Sequence, residues 1–295
     1  MTADSGTSSD HLVTLKDWSS AEIISVVMEA TALAMQGVKE INLVSQDSTA
    51  YGKDLGTRTG LGDLLKALAK VDGIEWIRLH YAYPIGLPDG LLEALRDEPK
   101  VVPYLDIPLQ HASGPMLKAM RRGVKRAGQE RILERIKTAV PDISVRTTFI
   151  VGFPGETEED FQELCDFVRD QQFDHVGVFT YFQEEGTPAA ELDGQVPDDV
   201  KDARQAELMR IQAEISRNKL EKMVGQVLPV LIEGTAEESD LLLRGRTWFQ
   251  APDVDGQVYI NMAPEDVQVG QIRAVRITEA GDYDLVGEVV GSASA

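Results

Sequence analysis

An α/β protein carrying a second, all-β module is what this sequence predicts, on three observations. Short β-rich runs alternate with helical patterns from residue 20 to residue 181, the mark of a parallel sheet or barrel built from βα units. The residues that close those runs are polar, and in such folds ligands sit beyond the carboxyl ends of the strands. After Gly225 the apolar period changes to two, and short strands separated by Gly/Asp turns take over.

The elements follow in chain order. Residues 20–36 place Ile23, Val26, Val27, Ala30, Leu33 and Ala34 at helical spacing, and Gly37 ends that helix before the strand Ile41-Asn42-Leu43-Val44. Helices are expected over 61–71, 91–96, 116–122, 131–139 and 158–170, with strands over 74–81, 101–107, 143–151 and 176–181. Five strands therefore alternate with helices. Residues 198–222 read as a long polar helix with a partial apolar stripe, bridging to the next module. Beyond it, strands at 227–232, 241–244, 258–261, 272–277 and 283–290, with turns such as Asp253-Val254-Asp255-Gly256, make a small antiparallel barrel.

Bulk properties bound the function. The 295 residues suit about two domains, and 43% apolar content excludes a disordered or collagen-like chain. No apolar run approaches the roughly 18 residues that span a bilayer, and the start lacks a basic, then apolar, leader, so a cytoplasmic protein is expected. The single cysteine, Cys165, permits no internal disulfide and cannot alone hold zinc or an iron–sulfur cluster, so no metal ligands are expected. Its neighbours Phe161, Leu164, Phe167 and Val168 mark it as core. The net charge of −20 disfavours wrapping nucleic acid; it suits a basic protein partner or serves solubility alone.

The strand closing at Val151 runs through Gly152-Phe153-Pro154-Gly155-Glu156 into a helix that opens with Thr157 and Asp160 as a capping box. Glycines there let backbone N–H groups approach a ligand, although the same junction serves a purely structural turn. The other strand ends carry Gln46-Asp47-Ser48-Thr49, His80 to Pro84, Gln110-His111-Ala112-Ser113 and Tyr181 to Thr187. Amides, hydroxyls and a histidine at one mouth suit a polar small molecule, such as a nucleoside cofactor. His111 either orders that ligand or is a hydrogen-bonded structural residue. Gln46, Asp47 and Ser48 either bind it or form a hydrogen-bonded turn. Arg121, Arg122, Lys125 and Arg126 either meet a carboxylate or phosphate or form a solvated helix end, while Met116 and Met120 suit core packing.

The segment Tyr104 to Ser113, then Leu117-Lys118-Ala119-Met120-Arg121-Arg122 and Thr148 to Phe161, resembles the radical-SAM methylthiotransferase family. Val178 to Ala190 and a tail with Pro252 to Gly256 and Tyr283 to Glu288 resemble its last barrel strand and its terminal TRAM domain. The resemblance implies a partial (β/α) radical-SAM, TIM-like barrel over 20–222, an OB-like TRAM domain over 225–291 and an irregular segment over 1–19. It implies a transferase that uses SAM and [4Fe–4S] clusters, with SAM held around Gln46, Asp47, Ser48, Gln110, His111, Arg146, Thr148, Gly152 and Tyr181. In the complete family one SAM yields a 5′-deoxyadenosyl radical and a second supplies methyl.

Val44 to Gly52 and Tyr81-Ala82-Tyr83-Pro84 resemble the branch that methylthiolates an aspartate β-carbon of small-subunit ribosomal protein twelve. Residues 221–295 hold 5 Lys and Arg against 13 Asp and Glu, a surface suited to that basic protein and unsuited to tRNA. A tRNA methylthiotransferase, and a non-catalytic module that binds SAM or a ribosomal protein, are the alternatives. The family's C-x-x-x-C-x-x-C motif is absent; that region reads Ser5-Gly6-Thr7-Ser8-Ser9-Asp10-His11-Leu12-Val13, so the chain reads as a truncated member, inactive by itself.

Overall fold

Parallel strands buried on both faces need apolar residues toward their covering helices, and the sequence supplies them at every second position. The computed structural model describes residues 10–14, 22–54, 59–237 and 239–291. Its first part is a sheet in sequence order, β1 (Asp10–Thr14), β2 (Glu40–Val44), β3 (Trp76–Leu79), β4 (Val101–Asp106), β5 (Ser144–Val151) and β6 (His175–Thr180), each pair parallel. Helices α1 (Ile23–Met35), α2 (Leu61–Leu68), α3 (Asp89–Asp97), α4 (Gly114–Ala119), α5 (Arg126–Ala139) and α6 (Glu158–Gln171) make the crossovers.

β1 is a sixth strand where an irregular segment was expected. Asp10-His11-Leu12-Val13-Thr14 holds only two adjacent apolar residues, and its strand character comes from pairing with β2, Asp10 opposite Glu40 and Thr14 opposite Val44. The rest of the 1–19 segment lies outside the described residues.

The helix-facing side of the sheet, with Ile41, Leu43, Ile77, Leu79, Leu105, Val145, Phe149, Val151, Val176 and Val178, forms the main core. Phe149, Phe167 and Phe173 pack ring to ring there, with centroids 5.8 to 6.3 Å apart, and Cys165 is buried beside them. The long helix α7 (Asp198–Leu220) does more than bridge. Leu208, Ile211 and Ile215 join the main core, and the Gln205 amide donates to the Val178 carbonyl at 2.7 Å along β6.

The second part is a closed barrel in the order β10-β11-β9-β8-β7, built from β7 (Val227–Ala236), β8 (Ser239–Arg246), β9 (Val258–Met262), β10 (Ile272–Ala280) and β11 (Leu285–Val289). Val230, Ile232, Val258, Ile260, Val275, Ile277 and Leu285 fill it. One pair departs from the expected antiparallel pattern: β9 and β11 run parallel, Leu285 opposite Val258. Directions cannot alternate around a ring of five strands, so one neighbouring pair must run the same way.

Candidate functional site

The other face of the sheet is polar, and the strand registers define its layout. Asn42 lies beside Arg78, Asp106 beside Arg146, Arg146 beside His175, and Thr148 beside Gly177. Glu40, Tyr104 and Ser144 share this face nearer the strand N-termini, and His80 follows β3 at the opposite end.

The N-terminal half of this face is filled by the loop between β8 and β9. Glu40, Arg78 and Arg246 are buried together: Arg78 Nε donates to Glu40 Oε1 at 2.7 Å and Arg246 Nη2 to Glu40 Oε2 at 2.8 Å. Arg78 Nη1 also donates to the Trp248 carbonyl at 2.7 Å, and its guanidinium lies 4.7 Å from the Tyr104 ring centre. Asp255 accepts from the Tyr104 hydroxyl at 2.8 Å, from the Ala251 N–H at 2.9 Å and from Arg146 Nη1 at 2.6 Å. His175 Nε2 donates to the Phe249 carbonyl at 2.6 Å. Trp76, Val102 and Tyr104 of the sheet meet Leu231 and Ala251 of the small barrel in a separate apolar cluster.

Among the described residues, the loop between β8 and β9 leaves the C-terminal half of the face uncovered. Arg146 Nε lies 3.9 Å from Asp106 Oδ1, and Asp106 Oδ2 lies 3.9 Å from His80 Nδ1, so a line of charge runs from the loop toward the strand ends. Asn42 is 2% exposed, yet its Oδ1 has no hydrogen-bond partner among the described residues. Phe179, next but one after Gly177, is 60% exposed.

At the rim, Asp47 caps the short turn Ser48–Ala50 by accepting from the Thr49 N–H at 2.9 Å and hydroxyl at 2.5 Å. Ser48 Oγ donates to the His80 carbonyl at 2.7 Å and its N–H to the Tyr81 carbonyl at 3.1 Å, tying the ends of β2 and β3 together. Gln46 is exposed. Gln110 has φ +73°, its N–H reaching the Thr148 carbonyl at 2.8 Å and its carbonyl the Ile150 N–H at 2.9 Å. The Tyr181 hydroxyl is enclosed without a partner among the described residues, and its ring stands edge-on to Phe153 at 5.1 Å.

His111 and Gly152 lie beneath this rim. His111 is 0% exposed; Nδ1 accepts from the Ala112 and Ser113 N–H groups, both at 3.0 Å, so Nε2 carries the proton and donates to Glu156 at 3.1 Å. The same buried carboxylate accepts from the Gly152 N–H and from Arg204 Nη1 at 3.0 Å. Every ring nitrogen of His111 is thus occupied within the protein. Gly152 has φ +73°, and a Cβ there would fall 2.2 Å from Lys201 Cγ of α7.

Sequence reasoning missed Glu156, Arg204, Glu40, Arg246 and Asp255. A carboxylate opening an otherwise apolar buried strand, as Glu40 does, is the one signal that was available. The others depend on partners brought together by the fold.

Among the described residues no three His, Cys, Asp or Glu are placed to bind a metal. Cys165 sits in the core, where burial pushes its thiol up to about 11. The donor set does not fit an iron–sulfur cluster.

The fold and site define a parallel α/β domain with a polar strand-end mouth, docked on a small β-barrel. A Radical SAM superfamily model matches residues 14–168 and a TRAM domain model residues 224–290; the chain belongs to the radical SAM superfamily. It is 51% identical over 265 residues to the ribosomal protein uS12 methylthiotransferase RimO of Pelobacter propionicus, covering 90% of this chain and 58% of that protein. Its identity to the RimO of Anaeromyxobacter sp. (strain K) is 51%, over 92% of this chain and 57% of the relative, and to that of Geobacter sulfurreducens 48%, over 90% and 59%. The chain thus spans less than three fifths of these relatives' length. Coproporphyrinogen III oxidase HemN of Escherichia coli, described as a radical SAM enzyme, shares the fold with a TM-score of 0.52 at 17% identity, over 66% of this chain and 44% of that one.

Proposed function

We propose that this chain is the SAM- and substrate-binding part of a methylthiotransferase that adds a methylthio group to the β-carbon of an aspartate in ribosomal protein uS12. The observation that carries this reading is the 51% identity to uS12 methylthiotransferases over 90% of the chain. The strand-end half of the polar face supports it. Asn42 Oδ1 and the Tyr181 hydroxyl, enclosed without partners among the described residues, fit the ammonium, ribose hydroxyl and adenine amino groups of SAM, and Gln46, Asp47, Gln110 and Thr148 complete the polar mouth. Bound there, SAM supplies a methyl group. Ser48, His111 and Gly152 hold the rim in shape from behind, and Arg146 joins it to the TRAM loop. With Cys165 as its single cysteine, this stretch of chain does not supply the thiolates of an iron–sulfur cluster.

No helix of the described residues is long and apolar enough to cross a membrane, and the cytoplasm is the proposed location. The excess of acids in residues 221–295 favours basic uS12 over tRNA.

Equilibrium binding of the purified chain to uS12, to tRNA and to SAM tests the proposal. Saturable binding of SAM and of uS12, the latter weakening with salt, is expected. Binding of tRNA without uS12 would move the chain to the tRNA-modifying class, and failure to bind SAM would remove the cofactor assignment.

A further inference from the structure

In a protein with 20 more negative than positive charges, buried arginines meet carboxylates: Arg78, Arg204, Arg246 and Arg273 all do. Arg121 and Arg122, which follow α4, form no ion pair among the described residues. Arg122 is held by the Pro108 carbonyl at 3.1 Å and by the Tyr83 ring, 5.4 Å from its guanidinium. Arg121 is exposed and has no side-chain partner among the described residues. Both border a cavity of about 350 Å³ that reaches Gln110, Ile150 and Phe153. Ile150 alternates with Thr148 on the polar face of β5, so the cavity opens onto the proposed SAM-binding half of that face.

The backbone at Arg121 is unusual. Its N–H bonds the Lys118 carbonyl at 3.1 Å and the Arg122 N–H the Leu117 carbonyl at 2.8 Å, the Schellman pattern that closes a helix. The left-handed position of that pattern normally takes glycine, but here arginine stands in it with φ +55°. Strained positions of this kind persist only where the surrounding structure over-determines them, and they cluster at binding and active sites.

We propose that Arg121, backed by Arg122, is the carboxylate-binding subsite for the reacting aspartate of the substrate protein. A guanidinium holds a carboxylate through paired, charge-assisted hydrogen bonds, which fixes the adjoining β-carbon in orientation. Arg122, held by the Pro108 carbonyl and the Tyr83 ring, sets the local positive potential, and the exposed Arg121 guanidinium pairs with the ligand. This assignment rests on the uS12 reading above, which supplies an aspartate as the acceptor.

The test is equilibrium binding of the full chain to two synthetic uS12 peptides, one with the acceptor aspartate and one with asparagine in its place, together with SAM and N-acetylaspartate amide. Wild type binds the aspartate peptide about tenfold more tightly than the asparagine peptide. Arg121→Gln abolishes that preference and leaves SAM affinity unchanged. Arg121→Gly also abolishes it while raising Tm, because glycine relieves the left-handed backbone; this separates lost recognition from lost folding. Equal preference in wild type and both variants overturns the subsite while leaving the uS12 reading intact. A matching loss of SAM affinity in Arg121→Gln reassigns the arginine to the cofactor's carboxylate and overturns the substrate assignment. If neither peptide binds but N-acetylaspartate amide does so in an Arg121-dependent way, the uS12 reading fails and the anion subsite stands.

Discussion

Arg146 on β5 and Asp255 on the β8–β9 loop meet at 2.6 Å, and this pair joins the two modules of the protein across 109 residues of sequence. Asp255 also takes the Tyr104 hydroxyl and the Ala251 N–H, so one buried carboxylate organises a strand, a tyrosine and its own loop.

Acid should loosen this junction. Burial alone raises the Asp255 carboxyl, but His175 and Arg146, with the Ala251 and Tyr104 donors, hold it below its ordinary 3.8. A carboxylate with a lowered folded-state pKa contributes stability that is complete above the ordinary value and is lost as pH falls through the lowered one. Asp255→Asn should cost about 2 kcal/mol near neutral pH by taking from Arg146 its carboxylate at 2.6 Å and leaving it only Asp106 at 3.9 Å, and should flatten the acid limb. Urea unfolding of both proteins, run at neutral pH and below about pH 4, measures this. An unchanged acid limb in the variant would show that Asp255 is not the group responsible.

Glu40 sits between two buried guanidinium groups. Burial opposes its ionisation, yet Arg78 and Arg246 hold its carboxyl below the ordinary range. Glu40→Gln is expected to destabilise the fold by about 3 kcal/mol, because the enclosed Arg78 loses its carboxylate partner while Arg246 keeps only Glu233, 2.5 Å from its Nε. Denaturant titration checks it. A loss under about 1 kcal/mol would mean that the two arginines find other partners.

Gly152 is constrained twice, by φ +73° and by Lys201 Cγ 2.2 Å from where a Cβ would stand. Gly152→Ala should therefore destabilise the protein by about 1–3 kcal/mol. Adding Lys201→Ala should recover the steric part and leave the backbone part, a non-additivity that a double-mutant cycle of melting curves resolves. Strict additivity would rule out the close approach.

Cys165, with its thiol raised to about 11 and its side chain in the core, should resist alkylation in the native protein at mildly alkaline pH and react as one thiol on denaturation. Rapid modification without unfolding, read by mass spectrometry, would place it outside the core.

The polar strand ends are legible in the sequence, because parallel strands place them all at one end of the sheet. Short β-branched and apolar runs such as Ile41-Asn42-Leu43-Val44 and Phe149 to Val151, set between helical patterns, read as strands of a covered sheet, and the polar residues that follow them fall at one end. β1 escaped because its five residues hold just two apolar side chains and it forms by pairing with β2. His111 could not be placed in advance. Its alternatives, rim ligand or buried scaffold, differ only in whether Glu156, 45 residues away, comes within 3.1 Å.

Local chemistry in the sequence settled the alternation of strands and helices, the change to a β module after Gly225, and the capped turn at Gly152 to Asp160. Those features rest on neighbours a few residues apart, where periodicity and turn chemistry act. Only the tertiary structure decided that the small barrel's loop fills half of the polar face, that Arg146 turns to Asp255, and that Arg246 shares Glu40 with Arg78 across 206 residues. A buried charge takes its counter-charge from wherever chain packing delivers one, and sequence spacing carries no trace of that distance.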